Sequence, residues 1–261
     1  YEDENFVQHC NPYVRCIVRR TREYLEDHIN KETGEPYLKK IDVELLGEKD
    51  DEALELSGYQ LQAYQIAEEF CAMLSRRVKG GGFMSTLMLK RIGSTMLAGE
   101  NTAKKMLAWT KDGKETLQEM YDDWEEDEET DEKDDSEASE IKKLTQAEQD
   151  CLIKLISVLR SNRDTDPKYL RVRDILKNGA DGEGGWLAKG CIVFSQYFDS
   201  ANYVAELLSH DLPDTPIGLY AGGDKSGIYS NGVFHKYPKD EVKAMVKSRN
   251  IKVLVGTDAA S

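Results

Sequence analysis

Apolar residues in the first half of the chain recur with the period of amphipathic helices. A helix is predicted from Ser57–Gly58 to about Val78, with an apolar face formed by Leu61, Tyr64, Ala67, Cys71 and Leu74. The glycines at 80–82 break that pattern. Two more helices are predicted beyond them, from about Met84 to Ala98 and from about Thr102 to Trp109. This part of the chain should therefore be mainly helical.

The second half begins with helices and then changes to short strands. Capping signals predict helices at 145–159 and at 166–178. From Cys191 onward the order is strand–helix–strand–helix–strand, with strands at 191–194, 217–220 and 252–255. Apolar strands separated by helices predict an α/β fold with half of a doubly wound parallel sheet, whose first strand is covered on both faces. Residues 224–237 are expected to form a long loop.

Negative charge is concentrated in one segment. Between Asp122 and Glu140 the chain has 13 acidic residues and one basic residue, Lys133. The remainder has 36 acidic and 34 basic residues, so the pI of 4.9 does not argue against nucleic-acid binding. The segment is too polar to form a core, which predicts a disordered acidic linker at 112–143. An alternative is that it mimics nucleic acid and occupies a basic groove as an autoinhibitor.

The five cysteines indicate a reducing compartment. No two of them form a Cys-x-x-Cys pair, and three lie in apolar contexts, Cys71, Cys151 and Cys191. His9, Cys10 and Cys16 match no common zinc spacing, so no metal site is expected. No apolar run approaches the roughly 18 residues that span a bilayer, and no signal peptide opens the chain. We therefore expect a cytoplasmic protein that does not bind membranes.

A loop of small or hydroxyl residues follows each of the three predicted strands. These loops are Ser195–Tyr197, Ala221–Gly223 and Gly256–Asp258. Loops at the carboxyl ends of parallel strands meet at one edge of the sheet. Small residues there let a phosphate group approach backbone N–H groups. The same composition is also typical of ordinary strand-to-helix loops, so both interpretations remain open.

Two of these segments resemble motifs of superfamily-two helicases. The segment Cys191-Ile-Val-Phe-Ser-Gln-Tyr-Phe-Asp-Ser200 resembles the motif that opens their second motor lobe, and Val255-Gly-Thr-Asp-Ala-Ala-Ser261 resembles the start of motif V. The amino-terminal half is similar to sucrose-non-fermenting-type ATPases in the order of Arg19–Arg22, the strand at 40–45 and Leu56–Gln60. The pattern Leu87-Met-Leu-Lys-Arg91 is similar to the bacterial branch that includes the RNA-polymerase-associated ATPase.

The resemblance implies a fragment of an ATP-dependent DNA helicase or translocase. Residues 1–50 would be the tail of the first motor lobe, 51–111 a helical protrusion, 112–143 the acidic linker and 144–261 a RecA-like C-terminal lobe truncated within motif V. The fold implied is α/β, a partial RecA-like parallel-sheet lobe with a mainly helical insertion. The parent would be an ATP hydrolase that uses ATP and Mg, pairs with the missing first lobe and, in a bacterium, associates with the nucleoid.

The resemblance also implies which residues contact nucleic acid, most plainly duplex DNA through its backbone. By motif position, six residues would bind it or relay lobe closure, namely Ser195, Gln196, Gly222, Gly223, Thr257 and Asp258. Thr257 would contact a phosphate through its hydroxyl and its backbone N–H. Arg19, Arg20 and Arg22 would pair with acidic groups at the lobe junction, or else form a solvated basic helix face. Phosphate contacts read no base sequence, so binding should depend on salt and not on sequence.

The chain also departs from the family. It has no G-x-x-x-x-G-K-[ST] loop and no Asp-Glu-x-x motif on a strand, and the family's arginine-rich motif VI would follow Ser261. We therefore assign the chain no catalytic residue and no bound cofactor of its own. Two alternatives remain. One is a degenerate motor lobe that acts as a protein-docking scaffold, and the other is a Rossmann-like enzyme, disfavoured because no G-x-G-x-x-G follows the first parallel strand.

The purified chain should show no measurable ATP hydrolysis, because its sequence lacks the nucleotide clamp and the arginine finger of the family. A coupled ATPase assay, with and without duplex DNA, tests this expectation. Robust turnover that copurifies with the chain would contradict the assignment.

Overall fold

The computed structural model of the protein describes residues 20–40, 43, 45, 58–78, 81–112, 143–179 and 185–257. The chain divides into two compact units, Tyr1–Ala53 and Leu54–Ser261. The acidic linker predicted at 112–143 lies almost entirely outside the described residues, as do Arg19 and Asp258. The predicted domain limits at positions 50, 111 and 143 stay predictions.

The first unit contains a short helix, α1 (Arg22–Asp27), and the loop that follows it. The hydroxyl of Thr21 caps the helix by accepting a hydrogen bond from a first-turn N–H at 3.2 Å. The loop that follows the helix is closed by an antiparallel β-bridge between Ile29 and Pro36. Of the strand predicted at 40–45, positions 41, 42 and 44 lie outside the described residues.

Four helices of the second unit pack into a bundle. They are α2 (Tyr59–Arg77), α3 (Gly81–Ser94), α4 (Met96–Asp112) and α5 (Gln146–Ser161). The apolar face predicted for α2 is confirmed at Ala67, Cys71 and Leu74, which are buried, whereas Leu61 is exposed. The shared core contains large, fully buried side chains, among them Phe70, Met84, Met88, Ile92, Met106, Leu152, Leu155 and Leu159. Helix α5 thus packs with the helices that precede the acidic segment, although the sequence analysis grouped it with the sheet.

The break between α3 and α4 lies at Thr95, and not between Ala98 and Thr102 as the sequence predicted. The Thr95 hydroxyl accepts a hydrogen bond from the N–H of Ala98 at 3.2 Å and so caps the start of α4. The N–H of Met96 donates to a carboxylate oxygen of Asp166 at 2.8 Å, which satisfies another donor of that first turn. The break is therefore fixed partly by a residue that is distant in sequence.

A buried carboxylate, Glu100, ties α4 to α5 and to the turn that follows α5. Cationic nitrogens of Lys104, Arg160 and Arg163 lie 2.6, 3.1 and 2.6 Å from its oxygens. Burial acts to raise the pKa of Glu100, but hydrogen bonds from the three cations outweigh it and hold that pKa below its usual value. The carboxylate therefore stays ionised, and its charge is compensated within the fold.

Beyond the bundle, helices alternate with the strands of one five-stranded sheet. The elements are α6 (Pro167–Asn178), β1 (Cys191–Phe194), α7 (Phe198–Asp211), β2 (Ile217–Tyr220), β3 (Gly227–Ser230), β4 (Val233–Lys236), α8 (Lys239–Lys247) and β5 (Val253–Gly256). The strand order is β1-β5-β2-β3-β4, and β5 pairs in parallel with both β1 and β2. The predicted α/β class and the three predicted parallel strands are confirmed. The predicted capping signals are confirmed as well, at Thr145 with Glu148 for α5 and at Asp166 for α6.

The prediction of a long loop at 224–237 is wrong, because this segment contains the antiparallel hairpin of β3 and β4. The turn of the hairpin is Asn231–Gly232, with φ angles of 49° and 76°. Two successive positive φ angles are those of a type I′ turn, for which Asn-Gly is a preferred pair. Strand β3 also pairs antiparallel with β2, so the sheet is mixed and not purely parallel.

The two faces of the sheet are covered unequally. One face packs against α6 and α7, through apolar residues that include Val193, Ile217, Leu219, Val253 and Val255. On the other face, α8 packs against β2 and β3, while Ile192 and Phe194 of β1 are 52% and 55% exposed. The prediction that the strand at 191–194 is covered on both faces is therefore wrong. The reason is that β1 is an edge strand and no described element covers its second face.

Gly227 leaves no room for a side chain, because a Cβ there would lie 2.3 Å from the backbone oxygen of His235. Gly227→Ala should therefore lower the free energy of unfolding by about 1–3 kcal/mol as the hairpin backbone moves apart. Gly82 in α3 provides the matched control, since no atom lies within 4 Å of its Cβ position. Gly82→Ala should be neutral or stabilising by up to about 1 kcal/mol. Urea unfolding measures both variants, and equal effects would contradict the hairpin geometry.

Candidate nucleic-acid interface

The loops that follow β1, β2 and β5 leave the sheet at one edge. In the parallel ladder, Gly256 pairs with Phe194 on one side and with Tyr220 on the other. The ends of the three strands therefore lie in one row, and the residues that come next are Ser195, Ala221 and Thr257. The expected convergence of the three loops is confirmed. Ligands of open α/β sheets bind at this edge.

The first backbone N–H of each loop is already hydrogen-bonded within the fold. The Ser195 N–H donates to the last residue of β5 at 3.0 Å, and the Thr257 N–H donates to the last residue of β2 at 3.2 Å. The Ala221 N–H donates to the hydroxyl of Ser226 at 3.1 Å. The N–H of Thr257 therefore belongs to the sheet, which corrects the expectation that it donates to a phosphate.

The hydroxyl of Thr257 is a polar group that the fold leaves unsatisfied. Thr257 is 1% exposed, and its Oγ1 has no hydrogen-bond partner in the described part of the chain. A buried hydroxyl without a partner costs about 1–3 kcal/mol. Buried polar groups without a hydrogen-bond partner are rare in folded proteins, and a functional role is one explanation for such a group. This hydroxyl lies at the end of β5, the middle one of the three parallel strands.

The other predicted residues form the open part of the edge. Ser195 and Gly222 are half-buried, whereas Gln196 and Gly223 are exposed. Gly223 has a φ of 59° and no atom within 4 Å of its Cβ position, so its backbone conformation is what requires glycine. The N–H groups of Gln196, Gly222 and Gly223 donate to no described residue. They are the backbone donors that a phosphate can reach.

Two lysines that the sequence analysis did not single out lie beside these loops. The ammonium of Lys225 is 4.9 Å from the centroid of the Phe198 ring, and that of Lys239 is 5.4 Å from the centroid of the Tyr220 ring. Both distances are typical of cation–π contacts. Phe198 begins α7 just after the first loop, and Tyr220 ends β2, so these contacts hold positive charge beside the edge. The position of Lys225, two residues after Gly223, is the feature of the sequence that could have indicated a lysine beside this loop.

The predicted lobe-junction arginines lie in the first unit, where the structure describes two of them. The guanidinium of Arg20 lies 5.5 Å from the centroid of the Tyr24 ring. Arg22 is exposed and donates to Glu26, one turn along α1, at 2.7 Å. Both contacts are local to this short helix, as expected of a solvated basic face. A role at a lobe junction stays a prediction for these residues and for Arg19, which lies outside the described residues.

The described residues of the edge do not fit a magnesium–nucleotide site. The carboxylate of Asp199 lies 2.7 Å from the Arg91 guanidinium, and that of Asp224 lies 3.4 Å from the ammonium of Lys236. Within the described ranges, no three His, Cys, Asp or Glu side chains converge where a cation could bind. The ATP and Mg that the resemblance implies for a parent protein therefore stay a prediction.

The described cysteines are free thiols. Cys71 and Cys151 are buried in the bundle, and Cys191 is half-buried at the start of β1. Burial raises the pKa of all three thiols. Because the thiolate is the reactive form, none of the three is activated as a nucleophile.

Comparison of the chain with protein-family models, with curated proteins and with solved structures gave no match. Among the helices in the described ranges, none is both long and apolar enough to cross a bilayer. The candidate site therefore rests on the geometry and chemistry of the edge itself.

Thr257 and Ser226 are a matched pair of buried hydroxyls at this edge. Ser226 accepts from the Ala221 N–H and donates to the Ala221 oxygen, each at 3.1 Å. Ser226→Ala should lower the free energy of unfolding by about 1–3 kcal/mol, because a buried N–H loses its partner. Thr257→Val should leave the free energy of unfolding unchanged or raise it. If urea unfolding shows equal losses for both variants, the Thr257 hydroxyl has a partner within the fold.

Proposed function

We propose that this chain is part of an ATP-dependent DNA helicase or translocase of the superfamily-two type, and that its strand-end edge contacts the backbone of duplex DNA. The observation that carries the proposal is the Thr257 hydroxyl at the end of β5, which is buried and has no hydrogen-bond partner among the described residues. Thr257 lies in the segment that resembles motif V. The loop after β1 lies in the segment that resembles the opening motif of the second motor lobe, and the two segments meet at the same edge.

The groups at this edge suit a phosphodiester. The hydroxyl of Thr257 and the N–H groups of Gln196, Gly222 and Gly223 are hydrogen-bond donors without partners among the described residues. Lys225 and Lys239 add positive charge beside them. Such groups recognise phosphate oxygens and not base edges. Binding is therefore independent of sequence and sensitive to salt.

In this proposal, the chain holds the DNA and transmits movement between the lobes, while ATP and Mg are bound elsewhere in the parent. Ser195 and Thr257 connect the two tasks, because each extends the parallel ladder through its N–H, at 3.0 and 3.2 Å. A movement of β1 or β5 therefore also moves the loops after these strands, whose groups contact DNA in this proposal. The residues of this chain bind and orient, and they supply no proton transfer or nucleophile.

The alternative function is a protein-docking scaffold built on a motor-like lobe. Ile192 and Phe194 favour it, because these apolar side chains leave one face of the edge strand β1 open. A docked protein would use that face, whereas DNA would use the carboxyl edge of the parallel strands. Substitutions at the carboxyl edge therefore distinguish the two functions.

Binding of short labelled DNA duplexes, followed by fluorescence anisotropy over a salt series, tests the proposal. Duplexes of unrelated sequence should bind equally. Lys225→Gln combined with Lys239→Gln should reduce the slope of log K against log salt by about 2, since each phosphate contact contributes about 0.9. The matched control combines Lys189→Gln with Lys252→Gln, which removes the same charge at the amino-terminal ends of β1 and β5. The control should leave the slope nearly unchanged.

Thr257→Val separates the site from the effect of net charge. It should weaken duplex binding about fivefold or more, which corresponds to the loss of one hydrogen bond of about 1 kcal/mol. In the parent motor, the same substitution should uncouple DNA stimulation from ATP turnover. Equal losses in the two lysine pairs would show that net charge alone governs binding. Absence of binding even at low salt would favour the scaffold.

A further inference from the structure

Buried polar contacts join the helical bundle to the segment that follows β1. They connect α3 and α4 with the loop Ser195–Tyr197 and the first turn of α7, all within the second unit. Buried polar groups are almost always hydrogen-bonded, and each such bond requires a particular geometry. A junction of this kind therefore fixes one arrangement of the elements that it joins.

Arg91 is the central residue of this junction and is 3% exposed. Its Nη2 donates to a carboxylate oxygen of Asp199 at 2.7 Å, and its Nε donates to the hydroxyl of Thr102 at 3.1 Å. The guanidinium also lies 4.4 Å from the centroid of the Tyr197 ring. Tyr197 is the last residue of the strand-end loop, and Asp199 lies in the first turn of α7. Arg91 thus contacts both sides of the point where this loop becomes a helix.

Hydroxyl groups extend the junction along the same face. The Ser200 Oγ lies 2.7 Å from the Ser94 Oγ and 2.9 Å from the Thr95 Oγ1. Ser200 is the next residue after Asp199, and Thr95 caps α4. The loop and the start of α7 are therefore connected to the bundle at two successive residues.

The sheet holds this loop at its first residue. Its Ser195 is tied to β5 by one backbone hydrogen bond at 3.0 Å, and Gln196 makes none. The side chain of Tyr197 does not cap α7. Strand β1 is an edge strand, so only β5 supports it within the sheet. The bundle supplies the restraint that the sheet does not.

We propose that Arg91 is a positioning residue for the nucleic-acid edge: it holds the loop Ser195–Tyr197 where the Gln196 N–H can meet a backbone phosphate. The inference rests on the proposed function for the identity of the ligand, and on the contacts of Arg91 for its geometry. Arg91 is buried and makes no contact with DNA itself. The helical bundle therefore contributes to DNA binding through the loop that it supports.

A positioning role and a direct contact predict different salt behaviour. A lysine or arginine that contacts a phosphate contributes about 0.9 to the slope of log K against log salt. Substitution of Arg91 should therefore weaken binding at all salt concentrations without changing that slope. Substitution of Lys225 should change the slope.

The test uses Arg91→Gln in the full chain, with Arg77→Gln as the matched control. Arg77 forms a comparable ion pair with the buried Glu148, at 3.1 Å, but lies within the bundle and away from the loop. Amide hydrogen exchange of residues 196–200 should accelerate at least tenfold in Arg91→Gln and stay unchanged in Arg77→Gln. Duplex affinity should fall at least fivefold in Arg91→Gln alone, with the salt slope retained. Arg91→Lys should restore part of the affinity, because it keeps a cation beside Asp199.

The outcomes of these measurements distinguish a positioning role of Arg91 from a merely structural one. Faster exchange throughout the second unit, or equal effects of Arg91→Gln and Arg77→Gln, would show a merely structural ion pair and overturn the proposal. If Arg91→Gln does not fold, Asp199→Asn replaces it, because Asp199 is partly exposed and asparagine keeps an acceptor for Arg91. If the unsubstituted chain binds no duplex, the proposed function fails. The exchange measurement then still tests Arg91, and unchanged exchange at residues 196–200 would overturn its positioning role.

Discussion

The ion pair between the buried Arg91 and Asp199 is the constraint on which the arrangement of the second unit depends. The bundle and the sheet have separate buried apolar clusters, and Leu97 of α4 packs against the cluster of the sheet. Apolar contact is non-directional, whereas the guanidinium and the hydroxyls of Ser94, Thr95 and Ser200 bond in defined directions. Removing one partner of a buried ion pair typically costs about 3–5 kcal/mol, so such a junction resists rearrangement.

The junction supports an edge at which some hydrogen-bond donors are used within the fold and others have no partner among the described residues. The first N–H after each parallel strand is used within the fold, which holds the strand ends in register. The N–H groups one or two residues further on, at Gln196, Gly222 and Gly223, donate to no described residue. The Thr257 hydroxyl is buried and has no hydrogen-bond partner within the described ranges, which is energetically unfavourable for the fold alone. The backbone donors of this edge are therefore preorganised, whereas the Thr257 hydroxyl, which is 1% exposed, must be uncovered before it can meet a phosphate.

Local patterns in the sequence predicted much of this fold. The capping signals at Thr145 and Asp166 and the three parallel strands were confirmed, because hydrophobic period and capping chemistry act over a few residues. The hairpin of β3 and β4 was missed, although Asn231–Gly232 is a strong turn signal. The open face of β1 could not be predicted from local sequence, because it depends on the order of the strands in the sheet. The break at Thr95 could not be predicted either, because it depends on a hydrogen bond to the distant Asp166. For the same reason, the partners of Arg91 and the positions of Lys225 and Lys239 became apparent only in the folded chain.

In the proposed function, duplex DNA meets the carboxyl edge of the parallel strands. Titration of the isotope-labelled chain with a short duplex, followed by backbone amide NMR, tests it most directly. The largest changes in chemical shift should cluster at Gln196, Gly222, Gly223 and Thr257, and these changes should become smaller as the salt concentration is raised. Changes that cluster instead at Lys189 and Lys252 on the opposite edge, or no changes at low salt, would contradict it.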